Sequence, residues 1–387
     1  MSGLEVGRMR IEIVLPRDRM IPDRLRALGR RLLLAARRPP LFALGLLRRQ
    51  ARAPSPARVA RILAIRTDRL GDMALTTSAL QDLRDHFRSA EITVLAPPGP
   101  LELLQGHPAV DRRVVLGDGG LPLDLVGRFD LAIDFTPDEG LRGALLARRS
   151  GAPYRAGFAA AGREAFFNLG GPRAGGRHLL DLNRELVIRL GATPRASRTS
   201  LFVSPEERGA AQNLLASLGA ASPRVVVHPG GFYPSQRWSP EQFGDLIALL
   251  TGRTGAACVV VHGPGEERLA ARVCASTPDA LAAGPQSVRG LMALIASCEL
   301  FVGNNSGPLH VAGALGIPTV SVMGPTDPAR FSPRGPADRI VRHDLPCSPC
   351  DRGRCWHHTC LRSVDPAELL SEAEAVLVSL RRREEAR

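Results

Sequence analysis

The sequence predicts an α/β protein built from two doubly wound halves. The chain has 387 residues, beyond the size at which a single hydrophobic core stops growing. From Val59 onward, short apolar runs alternate with stretches of helical periodicity, the pattern of βα units that build a parallel sheet. The alternation starts afresh after Ser204-Pro205, with loops rich in Gly, Pro and Asn closing several of its strands. Hydrophobic residues make up 44% and charged residues 23%, so the chain can fill two cores and does not have the composition of a disordered protein.

In the first half, Val59–Ile65 reads as a strand, Leu75–Phe87 as a helix with Leu75, Ala79, Leu80 and Leu83 on one face, and Ile92–Leu95 and Leu131–Asp134 as further strands. Between 150 and 205 the pattern weakens to a Gly-rich patch at Gly170–Gly176 and a helix near Leu179–Leu190. Pro205-Glu206-Glu207 opens the helix that leads into the second half, with Pro and acids suited to a first turn. There, strand Val225–Val227 ends in His228-Pro229-Gly230-Gly231, helix Pro240–Leu250 follows, and strand Cys258–His262 ends in Gly263-Pro264-Gly265. Helices Glu266–Ala275 and Val288–Ser297, strand Leu300–Val302, helix Pro308–Leu315 and strand Thr319–Val322 complete it, before an amphipathic helix over Pro366–Arg383. The domains are therefore 1–58 as an arm, 59–204, 205–365, and 366–387 as a terminal helix.

The formal net charge is +13, and all 51 basic residues other than histidine are arginine. Nine of them lie between Arg24 and Arg52, a stretch without a single acid. Such an arm suits phosphate-bearing partners or an anionic membrane face, and reads equally well as a solvated tail. Its apolar runs, Leu32–Ala36 and Leu41–Leu47, are too short and too interrupted for a signal peptide, and no stretch approaches the roughly 20 apolar residues of a spanning helix. The expected location is the cytoplasm, with any membrane contact made peripherally through the arm.

In an open α/β sheet, ligands bind beyond the carboxyl ends of the strands, so the loops there are the candidate site. After the first strand runs Arg66-Thr67-Asp68-Arg69-Leu70-Gly71-Asp72, where Gly71 frees the backbone and Asp72 begins a helix. Asp72 reads as a helix cap or as a general base, and spacing alone does not separate it from Asp68. Gly303-Asn304-Asn305-Ser306-Gly307-Pro308-Leu309-His310 is a strand-to-helix turn whose free amides suit a diphosphate. Arg237, in Gln236-Arg237-Trp238, can pair with a phosphate or stand as an exposed loop arginine. Glu266 can accept ribose hydroxyls. No Gly-Lys-Ser/Thr phosphate loop and no Gly-x-Ser-x-Gly elbow is present, which argues against P-loop and α/β-hydrolase chemistry.

Taken in order, these strings resemble the heptosyltransferase-type glycosyltransferases of family 9, which add heptose from ADP-heptose to the lipopolysaccharide core. They are Ile62–Asp72 with Thr76-Thr77-Ser78-Ala79-Leu80, His228-Pro229-Gly230 with Arg237-Trp238, Gly303–Ala312, and Met323-Gly324-Pro325-Thr326-Asp327-Pro328. The resemblance runs from about Val59 to the end. It implies a GT-B fold, two Rossmann-like domains facing across a cleft, with the acceptor on the first and the nucleotide-sugar on the second. It implies inverting transfer with Asp72 as base, Arg69 and Gly71 in the acceptor-side loop, and Arg237, Ser306, Gly307 and His310 at the donor. No cofactor or catalytic metal is then required. Arg237 stands where the family often has lysine. Asn305 departs from an aspartate that contacts sugar hydroxyls, which leaves the identity of the sugar open. The implied partners are a nucleotide-sugar, ADP-heptose foremost, and a lipid-linked glycan.

Cys347, Cys350, Cys355 and Cys360 follow the spacing C-x2-C-x4-C-x4-C with His357 and His358 among them. Four thiolates so placed can hold a structural zinc, or form a reduced loop. Two other classes fit parts of the sequence. A nucleic-acid-binding protein would use the basic charge, although aromatics are only 4% and no recognition motif is visible, so no nucleic-acid partner is expected. A catalytically silent scaffold would tolerate Asn305.

Overall fold

The computed structural model describes residues 33–37, 39–41, 50–195 and 199–385. Most of the basic arm lies outside them. The first half is a five-stranded parallel sheet of β1 (Arg61–Ile65), β2 (Glu91–Ala96), β3 (Arg112–Val115), β4 (Leu131–Asp134) and β5 (Tyr154–Gly157), in the order β3-β2-β1-β4-β5. Central β1 is buried on both faces: Ile62 and Ala64 enter one apolar cluster, Leu63 and Ile65 another, as the two-residue period of a strand requires. The second half is a six-stranded parallel sheet of β6 (Arg224–His228), β7 (Ala257–Val260), β8 (Ala280–Ala282), β9 (Leu300–Asn304), β10 (Thr319–Val322) and β11 (Arg339–Val341), in the order β11-β10-β9-β6-β7-β8.

Strand order reverses between β1 and β4 in the first sheet and between β6 and β9 in the second, which opens a crevice at each place. His228 is in register with Gly303, so the loops leaving β6 and β9 start side by side.

The expected helix over Leu75–Phe87 is instead two, Leu70–Ala74 and Thr77–His86. Threonine hydroxyls mark the break: Thr76 Oγ1 donates to the Asp72 carbonyl and Thr77 Oγ1 to the Ala74 carbonyl, each at 2.8 Å. Such side-chain bonds compete with the helical ladder. The edge strands β3, β8 and β11 and the edge strand β5 went unrecognised in the sequence because edge positions are only partly buried and carry no continuous apolar run.

Helix Pro205–Ser217 starts with a reciprocal cap, the Glu207 N–H donating to Ser204 Oγ at 3.2 Å and the Ser204 N–H to Glu207 Oε2 at 2.9 Å. Ion-paired Arg289 ties it to helix Val288–Ile295. The terminal helix Pro366–Glu385 does not stand apart from the second half. It lays Leu369, Ala373, Val376 and Leu377 into that half's core, beside helix Pro240–Thr254.

At the end of β4, Asp134 and Arg163 form a wholly buried ion pair. Burial pushes the Asp134 carboxyl up, against Arg163 and the Thr136 N–H that favour its charge. Arg163 also donates to the Thr136 carbonyl at 2.6 Å and to the Asp138 carbonyl, so one side chain holds the loop after β4. Arg163→Met should therefore destabilise the protein by about 3–5 kcal/mol in urea unfolding, because it leaves Asp134 buried without its partner. A loss near zero would show that the pair does not hold this loop.

Candidate active site

The loop after β1 is organised by a buried arginine. Arg66 is 1% exposed; its Nε donates to Asp68 Oδ1 at 2.6 Å, one terminal nitrogen donates to the Phe135 carbonyl, and the other lies 3.5 Å from Asp72 Oδ1. Asp72 is not the cap of its helix, as its position suggested, but the third residue. Arg69 holds the cap position, its N–H reaching Asp72 Oδ2 at 3.4 Å and its Nε lying 3.6 Å away. Asp68 and Asp72 are separated by their surroundings. Burial pushes the Asp68 carboxyl up to about 7 against the pull of Arg66, with Asp72 adding to the rise, whereas the Asp72 side chain opens on a cleft that Asp68 does not line.

Gly71 was expected for backbone freedom, but its requirement is space. A Cβ there would sit 2.8 Å from His310 Cδ2 and 3.1 Å from Gly307 Cα, so the two halves touch where this residue has no side chain. Across the contact, helix Gly307–Ala314 begins at Ser306, and His310 is buried against Gly71. Burial pushes the His310 imidazole down to about 4, more than Asp72 raises it, so the ring is neutral near pH 7.

The cleft has a volume of about 260 Å³, with Arg69, Gly71 and Asp72 on one wall and Asn305, Ser306, Gly307 and His310 on the other. Asn305 Oδ1 is a buried acceptor with no hydrogen-bond partner among the described residues. Leaving such an atom unsatisfied costs about 1–3 kcal/mol, which a ligand hydroxyl would recover. Neighbouring Asn304 works differently: its Oδ1 accepts the Trp238 N–H at 2.9 Å and its Nδ2 donates to the Pro229 and Gly230 carbonyls, stapling three loops. Phe232 and Tyr233 reach from the second half to the Arg69 guanidinium, whose carbon lies 4.7 Å and 5.8 Å from their ring centres. Sequence reasoning missed this aromatic clasp; its signal was two adjacent aromatics in a chain that has few. Arg330 and Phe331 divide the cleft from a second cavity of about 480 Å³, lined from the first half by residues that include Pro137, Asp138 and Leu179.

Two expected donor residues lie off the cleft wall. Arg237 donates its Nε to the Gly231 carbonyl at 2.7 Å and lines a neighbouring hollow of about 370 Å³. Glu266 accepts the Gly231 N–H at 2.8 Å and the Gly263 N–H at 2.9 Å, and faces His228 Nε2 at 3.2 Å. In the sequence, His228 carries no signal of its own beyond the His228-Pro229-Gly230 string.

Of the two readings of the cysteine cluster, the structural zinc finds no support. Among the described residues no group of three or more His, Cys, Asp or Glu side chains is arranged to hold a metal. Cys360 is buried in the second core beside Leu361, Cys347 and Cys350 are exposed, and Cys355 accepts the His358 N–H at 3.4 Å. The loop is nevertheless part of the site. Ser235 Oγ donates to the Arg352 carbonyl at 2.5 Å, and Asp351 enters the cleft wall, paired with Arg330 at 2.6 Å.

Two Rossmann-like sheets whose switch-point loops meet across a ligand-sized cleft define the GT-B class of enzymes, and solved structures agree. The glycosyltransferase family 9 protein of Veillonella parvula superposes with a TM-score of 0.69 at 22% identity, covering 83% of this chain and 97% of that one. Escherichia coli heptosyltransferase WaaC with ADP gives 0.63 at 20% identity, covering 82% and 99%. The sequence profile of glycosyltransferase family 9 (heptosyltransferase) matches residues 124–360. Lipopolysaccharide heptosyltransferase 1 of Pseudomonas aeruginosa is 24% identical over 358 residues, covering 82% of this chain and 98% of that one. The chain belongs to glycosyltransferase family 9 and is a glycosyltransferase. Among the described residues no helix is long and apolar enough to cross a membrane.

Glu266 yields a pH prediction. Burial opposes its ionisation, but the His228 contact and the two backbone N–H groups outweigh it and hold the carboxyl down to about 2. A depressed acid contributes stability that is complete above its ordinary value of 4.5 and is lost as pH falls from there through about 2. Tryptophan fluorescence on acidification should therefore show buried Trp238 exposed in that window. Glu266→Gln should lower stability at neutral pH and flatten the acid dependence; an unchanged acid curve would contradict the assignment.

Proposed function

We propose that the protein is an inverting glycosyltransferase that moves a sugar, heptose from ADP-heptose foremost, onto a lipopolysaccharide core or related envelope glycan, with Asp72 as general base. The observation that carries this is the position of the Asp72 carboxylate on the first-half wall of the cleft, facing the Asn305–His310 loop of the second half. The donor diphosphate would lie at the start of helix Gly307–Ala314, where backbone N–H groups are free. The sugar would offer a hydroxyl to Asn305 Oδ1. The acceptor would approach from the second cavity, past Arg330 and Phe331.

Asp72 then takes the proton of the acceptor hydroxyl as that oxygen attacks the anomeric carbon, and the nucleoside diphosphate departs from the opposite face. Configuration inverts in this single displacement. The names of the relatives support the choice of sugar and acceptor, and the ADP held by the Escherichia coli structure supports the nucleotide. General-base contributions are typically 10²–10⁴-fold. Asp72→Asn should accordingly reduce turnover by about 10²-fold or more while a thermal-shift screen of ADP-, GDP- and UDP-sugars still registers donor binding. Retained turnover in a folded variant would eliminate Asp72 as the base.

The basic arm is proposed to lie on the cytoplasmic face of the inner membrane, where each arginine near an anionic surface contributes roughly 1 kcal/mol. Its described part is anchored to the first half, with Arg37 donating to the Ala161 carbonyl at 3.1 Å and Leu41 packed over Gly162. Removing residues 1–32 should then weaken co-sedimentation with anionic vesicles and leave turnover on a soluble acceptor intact. Equal sedimentation of both forms would refute membrane contact through this segment.

A further inference from the structure

Three side chains from three different strand ends form a continuous hydrogen-bonded line into the cleft. Glu266, before helix Glu267–Ser276, faces His228 Nε2 at 3.2 Å; His228, the last residue of β6, presents Nδ1 to Ser306 Oγ at 3.1 Å; Ser306 stands on the cleft wall. The Ser306 hydroxyl makes no bond to cap its own helix, although it holds the cap position. We propose that Ser306, His228 and Glu266 form a proton-linked diphosphate clamp, in which a nucleoside diphosphate group entering the cleft draws a proton from solvent onto His228 Nδ1. This rests on the donor site proposed above and adds to it a residue and a linkage.

Hydrogen-bond polarity carries the argument. An ionised carboxylate can only accept, and Glu266 already accepts two backbone N–H groups, so the nitrogen facing it must be the one that carries hydrogen. In the neutral ring this leaves Nδ1 bare. Ser306 then donates its hydrogen to Nδ1 and turns oxygen lone pairs toward the cleft, the wrong polarity for a phosphate. When Nδ1 gains a proton, the direction reverses: Nδ1–H donates to Ser306 Oγ, and the hydroxyl hydrogen is free to donate to a phosphate oxygen. The imidazolium also brings a positive charge close to the diphosphate, with Glu266 behind it to balance the charge in a buried place.

His228 is 2% exposed, and the Phe301 ring lies roughly parallel to it at 6.4 Å, so solvent screens this charge poorly. The other charged or titratable groups around the line are few. Arg237 lies 4.0 Å from the far oxygen of Glu266, and His262 is bonded to the Gly263 carbonyl at 3.1 Å. On the cleft side stand neutral His310 and, on the opposite wall, Asp72. As the sugar leaves, the departing diphosphate gains a negative charge, which is when a donor hydrogen bond from Ser306 strengthens most.

Calorimetry reads this linkage without turnover. Whichever of ADP-, GDP- or UDP-glucose binds is titrated into the full chain at about pH 7.5 in two buffers of different ionisation heat, since an esterified diphosphate does not itself titrate near neutrality. The wild type should show a buffer-dependent enthalpy that reports proton uptake, and its Kd should rise as the pH is raised. His228→Asn should abolish both the uptake and the pH dependence. Ser306→Ala, a smaller change on the cleft wall, should weaken binding several-fold and reduce the uptake. Wild-type binding without proton uptake, or with uptake unchanged in His228→Asn, would overturn the clamp and leave the donor site standing. Failure of the folded protein to bind any nucleotide-sugar would overturn the donor site and the clamp together.

Discussion

The site depends on a contact in which two backbones meet without side chains between them. Gly71 of the first half and Gly307 of the second lie so close that a Cβ on Gly307 would be 3.2 Å from Leu70 Cβ, and one on Gly71 closer still to His310. Close packing of this kind tolerates little added volume. It sets how far apart the halves stand, and hence the width of the cleft between Asp72 and the Asn305–His310 loop. The Arg69 stack on Phe232 and Tyr233 and the His178 contact with the Ser332 carbonyl, at 2.9 Å, hold the same two halves on either side of it.

Charge on the two walls is handled in different ways. On the first, one buried guanidinium serves the Phe135 carbonyl and two carboxylates, so Arg66 holds the loop and neutralises acid at once. The planar fork of arginine suits this sharing better than the point charge of a lysine. On the second wall the Asn305–His310 loop presents Ser306, whose hydroxyl is backed by His228, and Arg330 lines the same cleft while paired with Asp351. Arg237, the cation expected there, instead braces the Gly231 turn beside Glu266. The acid of that loop set is likewise turned inward, where Glu266 ties the ends of β6 and β7 together.

Much of the fold was readable in the linear pattern. β4 and β10 fall where their apolar runs predicted, since buried parallel strands carry continuous apolar residues. The partly buried edge strands lacked that signature, and the threonine bonds that split the helix after Asp72 depend on which carbonyl each hydroxyl finds. The cysteine spacing was compatible with a metal, but spacing sets only what a loop can reach. Here Cys360 is buried in the second core while Cys347 and Cys350 are exposed, and no group of three or more side chains among the described residues is arranged to hold a metal.

By itself, the sequence determined the two α/β halves, their family and the loops at which the site had to lie, because these follow from local periodicity and from residue types a few positions apart. Only the tertiary structure distinguishes the surroundings of Asp68 from those of Asp72. Both follow the same strand in the same loop and both contact Arg66; what distinguishes them is that Asp72 lines the cleft and Asp68 does not. It likewise decided that Glu266 and Ser306 are joined through His228. Those three residues are far apart in the chain and meet only because the strands carrying them are neighbours in the second sheet.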